Sequence, residues 1–156
     1  MLAEIEASAL STWIRQSDAI YAFPGILIVH TAGMALAAGS AAAIGLRLLG
    51  AARQIPLVSL RELVPVAWIG LWLNIASGVL LVVAYPTKAL TNPIFYLKLL
   101  AITAAFVVVR HLDRTVLAVE APPRKLVSAA LLVLTALAII TGRLLPYTYR
   151  HLLAGY

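Results

Sequence analysis

Four long apolar stretches constrain the fold of this chain more than any other feature of its sequence. They cover about residues 20–48, 63–85, 93–111 and 126–146 of the 156-residue chain. A helix needs about 20 mostly apolar residues to cross the roughly 30 Å hydrocarbon core of a bilayer, and each stretch is about that long. Because a bilayer offers no water to pair with backbone polar groups, each stretch is predicted to form one transmembrane helix.

The composition predicts the same fold class. Hydrophobic residues make up 63% of the chain and charged residues 12%, with a mean hydropathy of +0.99. Soluble domains are only about 45–50% apolar. We therefore predict an all-α, integral membrane four-helix bundle that forms a single transmembrane domain over residues 1–156. The chain contains no cysteine, which excludes disulfides and thiolate metal sites.

The segment before the first span is amphipathic. Residues 6–17 place Leu10, Trp13 and Ile14 at helical spacing among polar residues. This pattern is typical of a short helix that lies on the membrane surface, and a frayed tail is the alternative. The apolar run that follows is longer than the roughly 7–15 residues of a signal-peptide core, so we expect it to be retained as the first span.

The distribution of basic residues predicts the orientation. Two of the three links between spans are rich in them: Arg47, Arg53 and Arg61 in the first, and Arg110, Arg114, Arg124 and Lys125 in the third. The second link contains Lys88 alone. Since Lys and Arg near span ends stay on the cytoplasmic side, both termini are predicted to be outside. The expected location is the bacterial inner (plasma) membrane, with periplasmic termini. Tyrosines at the opposite ends of the spans agree with this orientation: Tyr21, Tyr85, Tyr96, Tyr147 and Tyr149.

The first span is rich in small residues. Ala35, Gly39 and Ala43 follow one another at steps of four. Small residues at this spacing allow helix backbones to approach closely in lipid. We therefore predict that the first span is the most tightly packed helix of the bundle, and the alternative is that these residues leave room for a flat cofactor.

Polar residues coincide at one level of the predicted bundle. At about 1.5 Å of rise per residue, His30, Asn74, Lys98 and Arg143 lie roughly 18–27 Å above the basic residues at the cytoplasmic ends of their helices. Ser77 falls at the level of His30. Each of the four spans thus carries a polar group in the outer third of the membrane, and three of these groups can be cationic.

Three cations without matching acids repel one another, so this layer predicts an anionic ligand. One candidate is a b-type haem, with His30 as the metal ligand and with Lys98 and Arg143 paired with the propionates. A quinone or another anionic ligand, such as a lipid head group, is the second candidate. The predicted cofactor-binding residues form two groups. Three can carry a positive charge, namely His30, Lys98 and Arg143, and three support them, namely Asn74, Ser77 and Tyr147.

A haem at His30 would need a second axial ligand from elsewhere. His111 lies near the cytoplasmic end of the third span, roughly 25 Å from the level of His30, so the two cannot share one iron. His151, beyond the fourth span, is the remaining histidine, and it would reach the site only if the C-terminal segment folded back.

Two functions of different class remain open. The first is a cofactor- or anion-binding module, such as a haem or quinone subunit of an electron-transfer chain. The second is a structural or assembly subunit of a larger membrane complex, without a cofactor. A third possibility is a layer without a ligand, in which His30 bonds a carbonyl and Lys98 and Arg143 reach the interface. We expect the lipid bilayer and other membrane subunits or a second copy as partners, and neither nucleic acid nor catalysis by this chain alone.

Several segments together resemble a family of small bacterial inner-membrane proteins classed as a domain of unknown function. The segments span nearly the whole chain: WIRQSDAIY at 13–21, His30 with Gly33, GLRLLG at 45–50, NPIFYLKLL at 92–100, and Gly142-Arg143 followed by Tyr147. The resemblance implies a four-helix bundle with recurrent polar positions at His30, Arg47, Lys98 and Arg143, and no established activity. Family members often carry an Asp where this chain has Gly45. A looser similarity, to membrane domains associated with copper resistance, rests on span number and a first-helix histidine.

Overall fold

A computed structural model describes residues 2–119, 122 and 124–153, and the side chains of 149–153 lie outside the description. All of the regular structure in the described residues is helical. In chain order the α-helices are α1 (Leu2–Glu6), α2 (Ala9–Gln16), α3 (Phe23–Leu49), α4 (Leu57–Leu60), α5 (Leu63–Ala84), α6 (Pro86–Leu90), α7 (Pro93–Leu112) and α8 (Lys125–Leu153). A π-helical turn, Asp113–Leu117, extends α7.

The four long helices α3, α5, α7 and α8 are each long and apolar enough to cross a membrane. They alternate in direction and form one bundle, so the chain is a multi-pass integral membrane protein. The predicted all-α four-helix bundle is confirmed. The observed helices begin and end close to the predicted limits, except that α8 continues past the predicted end to Leu153.

Local sequence signals explain where the long helices begin and end. Asn92 caps α7, because its Oδ1 accepts a hydrogen bond from the backbone N–H of Ile94 at 3.0 Å. α3 ends at Gly50, whose φ of 111° belongs to the left-handed region that favours glycine. α8 passes through Pro146, which has no N–H to offer the preceding turn, a feature that membrane helices tolerate.

The N-terminal helix α2 is amphipathic and lies across the end of the bundle, as predicted. Ile14 is buried, whereas Leu10 and Trp13 are exposed. The Arg15 guanidinium donates to the carbonyl of Ala84 at 2.8 Å. Because that carbonyl belongs to the last turn of α5, Arg15 satisfies a helix-end acceptor that would otherwise need water. α2 is thereby attached to the transmembrane bundle.

The two ends of the bundle differ in composition. At one end, called the arginine end, Arg47 donates to the carbonyls of Ile55 and Arg53, and Arg61 pairs with Asp113 at 3.3 Å. The arginine end contains the basic residues of the first and third links: Arg47, Arg53, Arg61, Arg110, Arg114, Arg124 and Lys125. The opposite end, called the tyrosine end, contains α2, α6 and the following tyrosines: Tyr21, Tyr85, Tyr96 and Tyr147.

The helices do not pack evenly around the bundle. α3 packs along both α5 and α8, and α7 packs on α8, whereas α5 and α7 have no extensive contact. The rings of Trp68 and Phe106 do meet across them, with centroids 5.2 Å apart. The main apolar core lies toward the arginine end, where Ile44, Val109 and Leu131 are fully buried. The side of the bundle between α5 and α7 therefore stays open.

The small residues of α3 lie on two different faces of the helix, one exposed and one buried. Ala35, Gly39 and Ala43 are exposed, and a Cβ added at Gly39 would meet nothing within 4 Å. The buried stripe starts instead at Gly33, where an added Cβ would lie 2.8 Å from the Asn74 backbone nitrogen on α5. The two stripes are offset by two residues, which places them about 200° apart around the helix. Within the bundle, the close approach of α3 to α5 therefore occurs at Gly33 and not at the stripe of Ala35, Gly39 and Ala43.

Candidate functional site

Three helices meet at the imidazole ring of His30. From α5, the Ser77 Oγ lies 3.0 Å from Nδ1 of His30. From α7, the Lys98 Nζ lies 3.3 Å from Nε2. At about 1.5 Å of rise per residue, His30 lies about 10 Å and Lys98 about 8 Å inside the tyrosine-end starts of their helices. Both nitrogens of the ring are thus engaged below the membrane surface.

The donors available on Lys98 and Ser77 determine the direction of these hydrogen bonds. As an ammonium, Lys98 has only donors, so Nε2 of His30 accepts and the ring proton resides on Nδ1. Nδ1–H then donates to the Ser77 Oγ. The Ser77 hydroxyl in turn donates to the carbonyl of Leu73 at 2.6 Å. The result is a directed chain that runs from Lys98 through His30 and Ser77 to the backbone of α5.

Asn74 fixes the position of α5 beside α3 at the same level. Its Nδ2 donates to the backbone carbonyl of His30 at 2.9 Å. Asn74 is 8% exposed and Ser77 is 3% exposed, and no buried side-chain polar atom among the described residues lacks a hydrogen-bond partner. Four of the predicted site residues, His30, Asn74, Ser77 and Lys98, therefore form one connected polar cluster.

Two glycines that were not among the predicted site residues make room for this cluster. A Cβ added at Gly78 would lie 3.4 Å from Cε1 of His30. A Cβ added at Gly142 would lie 3.6 Å from Cε of Lys98, so the lysine stem passes along this glycine of α8. Their place in the sequence could have identified them, because both glycines lie inside apolar spans at the level of the polar residues.

Arg143 and Tyr147 do not join the cluster. Arg143 is exposed and makes no hydrogen bond or ion pair with the described residues, and Tyr147 is 67% exposed. The neighbouring Gly142 faces Lys98, so the next side chain along α8 is turned about 100° away. Tyr147 lies one turn beyond Arg143 on the same helix face. Both side chains therefore lie on a different face of α8 from the one that contacts Lys98.

Lys98 has no acidic partner in the described part of the chain. Its side chain is half-buried, and its Nζ contacts the imidazole rather than a carboxylate. An unneutralised cation at membrane depth is costly, and it favours a ligand atom that carries negative charge. The cluster is therefore electrostatically incomplete on the protein side.

A cleft extends from this cluster along the open side of the bundle. It lies between α5 and α7 and has a volume of about 640 Å³. His30 and Lys98 line one end and Arg110 lines the other, roughly 18 Å away by helical rise. Several of its apolar wall residues are exposed on the outside of the bundle: Ile75, Val79, Leu99 and Val107. The cleft therefore opens sideways, toward the lipid of a surrounding bilayer.

A second cavity adjoins the same two side chains. It has a volume of about 460 Å³ and extends from His30 and Lys98 toward the tyrosine end. Tyr85, Lys88 and Pro146 contribute to its wall. Lys88 lies over the ring of Tyr85, with its Nζ 4.8 Å from the ring centroid. The His30–Lys98 pair is thus shared by two spaces with different exits.

The haem prediction fits this geometry poorly. Iron needs a free imidazole nitrogen, but Nδ1 of His30 is bonded to Ser77 and Nε2 faces Lys98. The side chain of His151 lies outside the described residues. The described part of the chain contains no group of three or more His, Cys, Asp or Glu side chains that could hold a metal ion. Iron would reach Nε2 only if Lys98 turned away.

No protein-family model, curated protein or solved structure matches this chain. The resemblance to the family of unknown function and the looser similarity to copper-resistance membrane domains stay predictions. The functional inference depends on the site itself.

Proposed function

We propose that this protein binds a membrane quinone through His30 and Lys98, as a small subunit of an electron-transfer chain. The observation that carries the proposal is Lys98, a half-buried cation without a carboxylate partner, at the inner end of an apolar cleft that opens to lipid. The quinone ring would lie at the His30–Lys98 pair. Its isoprenoid tail would lie in the cleft between α5 and α7.

The hydrogen-bonding capacity of the pair matches both redox forms of a quinone. Lys98 has three donors and uses one on His30, so it can donate to a quinone carbonyl oxygen. When the ligand is a quinol, its hydroxyl can donate to Nε2 of His30 in place of Lys98. The positive charge of Lys98 also favours the oxygen that becomes more negative when the ring is reduced.

The depth of the pair favours a quinone over an anionic lipid. A phosphodiester carries a full charge. By helical rise of about 1.5 Å per residue, it would have to move about 8–10 Å into the membrane to reach the His30–Lys98 pair, and burying its charge there is costly. A quinone ring is neutral, and its tail stays in the apolar phase. The cleft therefore suits a head group that enters the membrane without its own charge.

The expected setting is the bacterial inner membrane, with the tyrosine end and both termini in the periplasm. The excess of arginine at the other end supports this orientation. The quinone would then bind in the periplasmic half of the membrane. Electrons would be exchanged with partner subunits, because the chain itself offers no redox centre among its described side chains.

Fluorescence quenching tests the proposal directly, since quinones quench tryptophan. Trp68 lines the cleft, so a Trp13→Phe, Trp72→Phe background isolates a reporter at the site. Titration of the detergent-purified protein with a short-tail ubiquinone should give saturable quenching that Lys98→Met weakens. Lys125→Met, which removes an exposed lysine at the arginine end, serves as the control. Equal quenching in both variants would contradict the proposal.

A structural or assembly role is the second candidate. The observation that favours it is the exposed face of Ala35, Gly39 and Ala43 on α3, which is suited to close approach by another helix. The partner would be another membrane subunit or a second copy of this chain. Under this role Gly39→Leu disrupts association, whereas His30→Ala has almost no effect.

Haem remains distinguishable from both candidates by a single spectrum. A reduced-minus-oxidised absorption spectrum of the purified protein should lack b-type bands if the quinone proposal is correct. A Soret band that disappears in His30→Ala would instead assign haem to His30, and it would require Lys98 to leave Nε2.

A further inference from the structure

The His30–Lys98 pair lies where two cavities meet, and the cavities lead to different surroundings. The cleft between α5 and α7 opens sideways among exposed apolar side chains. The second cavity extends toward α6 and is bordered by Tyr85 and Lys88. Both include His30 and Lys98 in their walls. The pair can therefore be reached from the surrounding lipid through one cavity and from the tyrosine end through the other.

We infer that the second cavity is a water route through which the His30–Lys98 pair exchanges protons with the aqueous phase at the tyrosine end. A proton taken up by the pair comes from water in this cavity, and a released proton returns to it. The ligand uses the other route, through the cleft. This assignment of the ligand route rests on the proposed quinone site, whereas the water route does not depend on it.

The groups around the second cavity are consistent with entry of water. Lys88 contributes a charged group at its outer border, and Tyr85 contributes a hydroxyl. On α8 the facing positions are Gly142, Leu145 and Pro146, which bring no charge. Four helices each contribute one titratable group to the wall of this cavity: His30 from α3, Tyr85 from α5, Lys88 from α6 and Lys98 from α7. No carboxylate of the described residues lines the cavity, so no internal acid competes with water for the protons of the pair.

The directed hydrogen bonds show where proton transfer through the protein stops. With Lys98 as an ammonium, Lys98 donates to His30 and His30 donates to Ser77, and Ser77 donates to the carbonyl of Leu73. A carbonyl cannot pass a proton on, so the chain stops at α5. Protons on Lys98 and on Nε2 of His30 can leave toward the two large cavities. Of these, the cavity at the tyrosine end offers the shorter path to a helix end, about 8–10 Å by helical rise against roughly 18 Å along the cleft to Arg110.

Chemical modification of Lys98 tests the water route without any ligand. Reductive methylation with formaldehyde and a water-soluble hydride donor, applied to the protein in lipid nanodiscs, should dimethylate Lys98, as read by mass spectrometry of its peptide. Leu145→Trp fills the second cavity and should abolish this modification. Val79→Phe, which adds bulk to the cleft without adding a tryptophan, should leave this modification intact while abolishing quinone quenching of Trp68. Equal modification in the two variants, or none in the parent protein, overturns the inference.

The accessibility of an introduced cysteine to a water-soluble reagent provides a second test. It uses a smaller substitution than tryptophan, so it disturbs the packing less. The chain has no cysteine, so each introduced thiol is the only one. Ala89→Cys, in the wall of the second cavity, should react with a charged methanethiosulfonate, which modifies thiols in water. Val133→Cys, on the exposed apolar face of α8, is the lipid-facing control. Reaction of Ala89→Cys no faster than the control would also overturn the water route.

The two proposals can fail separately. Loss of the water route with quinone quenching retained would leave a quinone site that exchanges protons elsewhere. Retention of Lys98 modification without quinone quenching would leave a hydrated basic pair, and the quinone proposal alone would be wrong.

Discussion

The Nζ of Lys98 lies 3.3 Å from Nε2 of His30, although the two residues are 68 positions apart and belong to different transmembrane helices. Two basic groups are thereby held together below the membrane surface, with no carboxylate of the described residues beside them. Such a pair is stable when Lys98 donates and His30 accepts, and it binds best to a ligand that supplies electron-rich oxygen.

Lys98→Met should weaken quinone binding while the fold is retained. Methionine keeps the length of the apolar stem beside Gly142 but removes the charge. A hydrogen bond to a charged group contributes about 1.5–3 kcal/mol, which corresponds to a loss of affinity of about 10- to 150-fold. Fluorescence titration measures the dissociation constant, and circular dichroism checks the helix content. An unchanged constant would exclude Lys98 from the binding site.

Arg143→Gln should leave the same dissociation constant unchanged. Arg143 is exposed, and its position on α8 is turned about 100° from Gly142, which faces Lys98, so we expect no contribution to binding. The sequence alone predicted the opposite. A loss of affinity comparable to that of Lys98→Met would mean that Arg143 reaches the ligand in the bound state.

Gly70→Ala should destabilise the bundle, whereas Gly39→Ala should not. A Cβ at position 70 would lie 2.5 Å from the backbone nitrogen of Ala37, so α3 and α5 would have to separate. Overpacking of this kind costs about 1–3 kcal/mol. At Gly39 an added Cβ meets nothing within 4 Å. Unfolding in a detergent titration compares the two variants, and equal stability would contradict the observed helix contact.

Asn74→Ala should reduce stability modestly and loosen the site. It removes the hydrogen bond from Nδ2 to the carbonyl of His30. Hydrogen bonds between membrane helices contribute about 0.6 kcal/mol on average and at most about 1.7 kcal/mol. The same unfolding titration gives this difference. Asn74→Gln, which keeps the amide, tests whether the exact reach of the side chain matters.

Thiol labelling of intact bacterial cells tests the orientation. Thr91→Cys lies at the tyrosine end and Gln54→Cys lies in the link at the arginine end. A membrane-impermeant maleimide should label Thr91→Cys only, because arginine-rich links stay in the cytoplasm. Labelling of both after membrane disruption confirms that each thiol is reactive. The reverse pattern would place the His30–Lys98 pair in the cytoplasmic half of the membrane.

Much of the fold was predictable from local features. Asn92 and Pro93 mark the start of α7 as a side-chain cap and a helix-compatible proline, and Gly50 marks the end of α3. The level of each polar group along the membrane was also predictable, because helical rise per residue is nearly constant. His30, Asn74, Ser77 and Lys98 were grouped on that basis, and the structure brings all four together.

Rotation about the helix axes could not be predicted in the same way. In a soluble helix the apolar face shows which side is buried, but a membrane helix is apolar on the side that faces lipid as well. The sequence therefore does not distinguish the stripe beginning at Gly33 from that beginning at Ala35. It likewise leaves open whether Gly142 or Arg143 faces Lys98.

The sequence by itself thus determined four transmembrane helices, their limits and the depth of their polar residues, since length, capping and rise are local properties. Only the tertiary structure decided which of those residues meet. It turned Lys98 toward His30, turned Arg143 outward, and left α5 and α7 apart so that a cleft opens at the pair. The physical reason is that close approach at Gly33 and Gly70 sets the rotation of α3 against α5, and such steric fit is a property of two surfaces together.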